Sequence, residues 1–275
     1  MLLGGLQMIR TNGKELHART TTEVSQADWG HPIGKAVAFV PEGDVIVRKA
    51  FPGAAEDETI RKIGGSAMLN VAYHPSGLAL AVIQTANAGE EIWITTNLGE
   101  DIKRLVFSVE GTRFGEIEFS SNGTQLFYSA QHSDDRPYVH VIDLTAPSEA
   151  PSIWRGEVAT RVLDMAVSPD ADSSDVAVTT GTSCEDQRSI ITTPDGDMDL
   201  GPVQVVGWLD PMHVLTAKGC VGEEDVSVFD LGTGSSADVV SGVEVSASRA
   251  LYPVPAAGLP MIPGAGAKEP ESGVG

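Results

Sequence analysis

From Val71 to Gly99 the chain reads VAYHPSGLALAVIQTANAGEEIWITTNLG, short apolar bursts separated by turn-forming residues. A strand runs into Pro75-Ser76-Gly77, an apolar strand covers Leu78 to Ile83, a polar loop follows, and a third strand spans Glu91 to Thr95 before Asn97 and Gly99. Proline presets φ at one turn position and glycine supplies positive φ at another, so each such cluster predicts a place where a strand reverses.

The unit recurs. Equivalent turns stand at His31-Pro32-Ile33-Gly34, Ser120-Ser121-Asn122-Gly123, Ser168-Pro169-Asp170 and Leu209-Asp210-Pro211. From Pro32 to Pro75, Ser121, Pro169 and Pro211 the successive spacings are 43, 46, 48 and 42 residues. A four-stranded propeller blade takes roughly 40 to 45 residues, and self-similarity at that period marks such arrays. The strand after each turn recurs at Ala36–Val40, Gln125–Ser129, Val176–Thr179 and His213–Thr216, and the next at Tyr138–Ile142, Ser189–Thr192 and Asp225–Phe229.

The ends complement each other. Leu6–Ile9, Thr11-Asn12-Gly13 and Lys14–Ala18 read as the last two strands of a blade, whereas Val243–Tyr252 and Leu259–Ile262 read as first strands without a closing hairpin. Joined, they make one composite blade that removes free sheet edges. The expectation is an all-β, six-bladed β-propeller in a single domain over 1–263. Its blades cover about 22–63, 64–109, 110–157, 158–201 and 202–241, with 242–263 joined to 1–21, and 264–275 form a disordered tail.

His74-Pro75-Ser76-Gly77, the apolar strand, and Ile92-Trp93-Ile94 with Asn97-Leu98-Gly99 resemble the TolB-type, WD40-like (PD40) β-propeller repeat. Ser168-Pro169-Asp170 and Asn12-Gly13 match parts of it, while Ile33 and Ser76 stand where aspartate is usual and Asp210-Pro211 is inverted. The resemblance implies the propeller fold; such folds carry many unrelated tasks.

Thirty glycines and 16 prolines spread along 275 residues suit an all-β chain with many turns. No apolar run approaches the roughly 18 residues of a membrane helix, so direct membrane insertion is not expected. Met1–Met8 lacks the basic flank of a signal peptide. The 18 basic and 38 acidic residues give a net charge of −20, which repels phosphate backbones and excludes nucleic acid as the expected partner.

Cys184 and Cys220 are the only cysteines, each just after the second strand of its repeat and hence in equivalent loops of adjacent blades. Neighbouring loops can bring Cα atoms within the roughly 4.4 to 6.8 Å a disulfide needs. A disulfide is the leading expectation and two free thiols the alternative; a disulfide implies a periplasmic, cell-surface or secreted location, free thiols leave the cytoplasm open. His31 and His74 hold one repeat position and read as turn residues, and no histidine spacing matches a metal motif. The weak calcium candidates are Asp170 with Asp172, and Asp195 with Asp197 and Asp199; neither run has the glycine and glutamate of an EF-hand loop, and otherwise no cofactor is expected. No nucleophile elbow or phosphate loop is present. Trp29, Trp93, Trp154 and Trp208 fall at or near strands, where packing between blades competes with stacking of a sugar or peptide.

The leading functional expectation is a monomeric, non-catalytic scaffold that binds another protein, in the cell envelope. Its candidate loops are Thr85–Glu90, with Asn87 and Glu90, and Ala130–Arg136, with His132, Asp134, Asp135 and Arg136. The alternative is a small-molecule, glycan or calcium-binding propeller, or a propeller enzyme, with its site in the axial channel. A substrate-gating domain of a larger peptidase is a third reading, which the apparent ring closure disfavours.

Overall fold

The computed structural model describes residues 7–9, 16–18, 24–30, 36–41, 46–50, 58–60, 67–87, 89–96, 103–107, 112–132, 137–146, 151–155, 161–193, 196–219 and 224–243. All regular structure among them is strand. A hairpin of β1 (Gln7–Ile9) and β2 (Leu16–Ala18) precedes five four-stranded antiparallel sheets. The first sheet is β3 (Val24–Gly30), β4 (Ala36–Pro41), β5 (Ile46–Ala50) and β6 (Glu58–Ile60). The second is β7 (Met68–Tyr73), β8 (Ala79–Ala86), β9 (Gly89–Thr96) and β10 (Lys103–Phe107), and the third β11 (Arg113–Phe119), β12 (Gln125–Gln131), β13 (Pro137–Asp143) and β14 (Ser152–Arg155). The fourth is β15 (Val162–Val167), β16 (Val176–Thr180), β17 (Arg188–Thr193) and β18 (Gly196–Gly201), and the fifth β19 (Gln204–Asp210), β20 (His213–Lys218), β21 (Glu224–Asp230) and β22 (Ser235–Val243).

Each sheet is a simple meander whose strands pair in chain order. The first strands of successive sheets touch, β3 with β7, β7 with β11, β11 with β15 and β15 with β19. Each first strand also carries a bulge, near Val24/Gln26, Met68/Asn70, Phe114/Ile117, Val162/Asp164 and Val205/Gly207. A bulge adds local twist, and its repetition gives the inner strands a common bend.

The middle sheets are apolar on both faces, and the period-two alternation divides their residues between separate cores. On β12, Leu126 and Tyr128 pack with Ile83, Ile92 and Ile117, while the intervening Phe127 joins Val139, Met165 and Val178. On β16, Val176 and Val178 belong to that second core and Ala177 to a third, with Ile191, Val205, Trp208 and Val214. The cores therefore lie between sheets, and each sheet depends on its neighbours for burial.

Two expectations change in detail. Thr85–Glu90 is not a long loop: β8 and β9 pair through Thr85↔Glu90 and Ala86↔Gly89, leaving residues 87–88 as the connection. The alternation continues through Gln84 and Glu91, whose buried side chains bond each other, so polar residues extend the strands instead of ending them. Val243 ends β22, the last strand of the fifth sheet, and does not open a new one. The other proposed closing strands, beyond residue 243, lie outside the described residues.

Candidate functional site

Two sets of connections leave opposite ends of the sheets. At one end lie the turns joining first to second strands, 74–78, 120–124, 168–175 and 211–212 in the second to fifth sheets, the first three of them linked to one another. His74 is buried, its Nε2 3.1 Å from the Gly123 carbonyl oxygen in the next turn and its Nδ1 2.8 Å from Ser76 Oγ. Burial lowers its pKa to about 4, and its ring meets Phe119 edge-on at 5.0 Å. Asn122 repeats the device one sheet on, its Nδ2 donating to Ala171 O at 2.8 Å. These bonds join the second, third and fourth sheets, and His74 has the turn role read from its repeat position.

At the other end the second and third strands are joined by connections of two to seven residues. Residues 87–88 serve the second sheet, 132–136 the third, 181–187 the fourth and 219–223 the fifth. Asn87 is exposed at the tip of its tight hairpin. Glu90 is half-buried and accepts a hydrogen bond from the Phe114 N–H of the next sheet; burial raises its pKa, partly countered by that bond and by Arg113. It thus joins two sheets. Asp134, Asp135 and Arg136 lie outside the described residues.

His132, just before them, is held by an aromatic group. Its Nε2 lies 3.2 Å from His140 Nε2 and its Nδ1 3.4 Å from Thr112 Oγ1. His140 stacks on Tyr128 at 5.0 Å and 10°, and Tyr138 meets the His132 ring edge-on at 4.9 Å. Burial, with the neighbouring His132, lowers the His140 pKa to about 4. The reading by local spacing missed this pair because its partners flank a hairpin connection; pairing β12 with β13 is the signal that brings them together.

The 181–187 connection has a built shape. Asp186 accepts from the Thr182 and Ser183 N–H groups at 2.9 and 2.7 Å and from the Thr182 hydroxyl at 2.6 Å, which lowers its pKa to about 2. The buried Gln187 reaches the next sheet, Nε2 donating to Gly219 O at 3.5 Å. Cys184 sits half-buried in this connection and is not a free thiol. Cys220, which follows Gly219, lies outside the described residues.

Asp170 caps its own turn, accepting from Asp172 N at 3.0 Å, and Asp172 is exposed. Asp199 is bound by the Arg188 guanidinium and accepts from Gly201 N. Asp197 is exposed on β18, and Asp195 lies outside the described residues. Among the described residues no three histidine, cysteine or carboxylate side chains converge as metal ligands. Trp208 is buried with Nε1 bonded to Ala166 O of the preceding sheet, and Trp93 bonds Glu91. These two indoles pack; the side chains of Trp29 and Trp154 lie outside the described residues.

A different polar set lies along the bulged first strands. Asn70 Nδ2 donates to Gly115 O at 3.0 Å and reaches Glu116 Oε2 at 3.4 Å, and Gln204 Nε2 donates to Asp164 Oδ2 at 3.2 Å. Asn70 and Asp164 each also accept the N–H of the following residue.

Comparison with solved structures decides the architecture. The putative TolB from Agrobacterium tumefaciens superposes with a TM-score of 0.66 at 13% identity, covering 90% of this chain and 93% of that one. The fold is a TolB-like, WD40-like β-propeller. TolB from Acinetobacter baumannii gives a TM-score of 0.65 at 15% identity over 87% of this chain, which spans 60% of that protein. A nidogen/laminin complex structure gives 0.64 at 14% identity, covering 88% of this chain and 90% of that one. No protein-family profile matches the chain, and no curated protein matches it in sequence. The five sheets thus correspond to propeller blades, packed first strand to first strand.

Proposed function

We propose that this propeller is a non-catalytic scaffold that binds another protein through the rim carrying the connections 132–136, 181–187 and 219–223. The observation that carries the reading is the 181–187 connection, whose backbone Asp186 holds in shape while Thr182, Ser183, Glu185 and Asp186 stay exposed. Rigid blades that present variable loops are a common platform for recognition. One of the similar structures is itself a complex of two proteins, nidogen and laminin.

Two further points belong to this proposal. The ring closes as six blades, β1 and β2 joining strands from beyond residue 243. A Cys184–Cys220 disulfide staples the fourth and fifth blades and places the protein outside the cytoplasm, in the cell envelope. The Gln187 bond to Gly219, one residue before Cys220, supports the staple, as does the bonded state of Cys184.

A site in the axial channel is the second reading. Asn70, Glu116, Asp164 and Gln204 bring amide and carboxylate groups to the first strands, Asn70 and Asp164 being buried, and groups of this kind suit a small polar ligand. Two measurements separate the readings. Replacing Asp134, Asp135 and Arg136 with alanine abolishes partner capture if the rim binds. A thermal shift with a sugar or calcium that disappears in Asp164→Asn, with partner capture unaffected by the loop variant, assigns the channel instead.

A further inference from the structure

We propose that His132 and His140 form a binding site for a divalent transition-metal ion of the zinc class, on the connection rim of the third blade. Their Nε2 atoms face each other at 3.2 Å. A tetrahedral zinc ion with Zn–N bonds of roughly 2.0–2.1 Å sets two imidazole nitrogens about 3.3–3.4 Å apart, so the observed pair needs to open by only a few tenths of an ångström.

The surroundings orient both rings. Thr112 Oγ1 lies 3.4 Å from His132 Nδ1, the nitrogen that does not face the pair, and Tyr138 meets the same ring edge-on. His140 is stacked flat on Tyr128, which is itself buried. Outer contacts of this type fix ring orientation and tautomer in histidine metal sites. Without metal, one of the facing nitrogens carries the hydrogen of the N···H–N bond. Metal binding moves that hydrogen to Nδ1 of the same ring and leaves two neutral imidazoles with both Nε2 lone pairs on the ion. Among the described residues no third histidine, cysteine or carboxylate joins the pair, and water supplies the remaining positions. The buried side of His140 and the half-buried His132 place the ion at the protein boundary, reached from the His132 side.

The test is a titration of the intact, oxidised chain with zinc chloride against a chelating dye, with thermal unfolding and the histidine NMR resonances as second readouts. One equivalent is expected to bind, to raise Tm and to shift the resonances of His132 and His140 together. His132→Ala should weaken the affinity about tenfold or more, and His140→Gln should do the same. His132 is half-buried just after β12, so its variant keeps the test decisive even if the His140 variant fails to fold. His213→Ala, which removes a histidine paired with Asp210, should leave the affinity unchanged. Zinc uptake undiminished by His132→Ala, loss of uptake in His213→Ala alone, or no uptake at millimolar zinc would each overturn the proposal.

Discussion

His74 Nε2 lies 3.1 Å from the carbonyl oxygen of Gly123, whose φ of +72° belongs to the left-handed region. A Cβ on Gly123 would stand 2.2 Å from that nitrogen. The glycine is therefore required twice, by the turn and by the imidazole seated against it. Gly123→Ala should destabilise the propeller by about 2 kcal/mol, since the left-handed conformation alone costs roughly 1–2 kcal/mol and the histidine must also move. Denaturant unfolding measures the change, and Asn122→Ala, which removes only the Ala171 bond, provides a milder comparison.

Acid should weaken the same joint. Folded His74 has a pKa of about 4 against an ordinary 6.5, because burial disfavours its charged form. The unfolded chain then binds the proton more tightly, so this contribution is complete above about pH 6.5 and is lost as pH falls toward 4. Its size is of order 3 kcal/mol. His74→Gln should reduce the slope of the stability profile in that window, the remainder coming from His140, whose pKa burial lowers to the same value, measured as chemical denaturation midpoints against pH; an unchanged slope would remove His74 as a source.

Asp186 is expected to act locally. It is exposed, and its acceptor bonds shape only the 181–187 connection. Asp186→Ala should speed amide hydrogen exchange at Thr182 and Ser183 while leaving global unfolding almost unchanged. A large drop in overall stability would show that the connection supports the fold rather than recognition.

Reduction should lower stability if the proposed Cys184–Cys220 staple is present. Cross-linking a loop of this length contributes about 4 kcal/mol in the chain-entropy description. Thermal unfolding with and without reductant, repeated on Cys184→Ser, gives the size; two titratable thiols in the untreated protein would contradict the pairing.

The architecture was legible because its determinants are local and repeated. Turn residues such as Pro75 with Gly77 and Asn122 with Gly123 mark the reversals, and the alternation around Leu126, Phe127 and Tyr128 feeds two cores from one strand. The candidate site was less legible. Glu90 reads locally as a loop residue, yet a backbone N–H of the next blade claims its carboxylate, and no local pattern carries that contact. The His132–His140 pair depends on strand register, and the Asn70–Glu116 and Asp164–Gln204 pairs depend on how inner strands meet. Asp170 and Asp199 show the converse: aspartates suited by type to calcium are occupied by their own turn and by Arg188.

The most direct test of the scaffold reading is affinity capture of the tagged propeller from its native host, with cross-linking and mass spectrometry. The intact protein runs beside the Asp134, Asp135 and Arg136 triple alanine variant and a Leu78→Ser variant, whose exposed side chain lies on the opposite rim. The account predicts one protein recovered in near-equal amount with the intact chain and with Leu78→Ser, lost with the triple variant, and cross-linked beside residues 132–136. Recovery of the same protein with the triple variant but not with Leu78→Ser would contradict it.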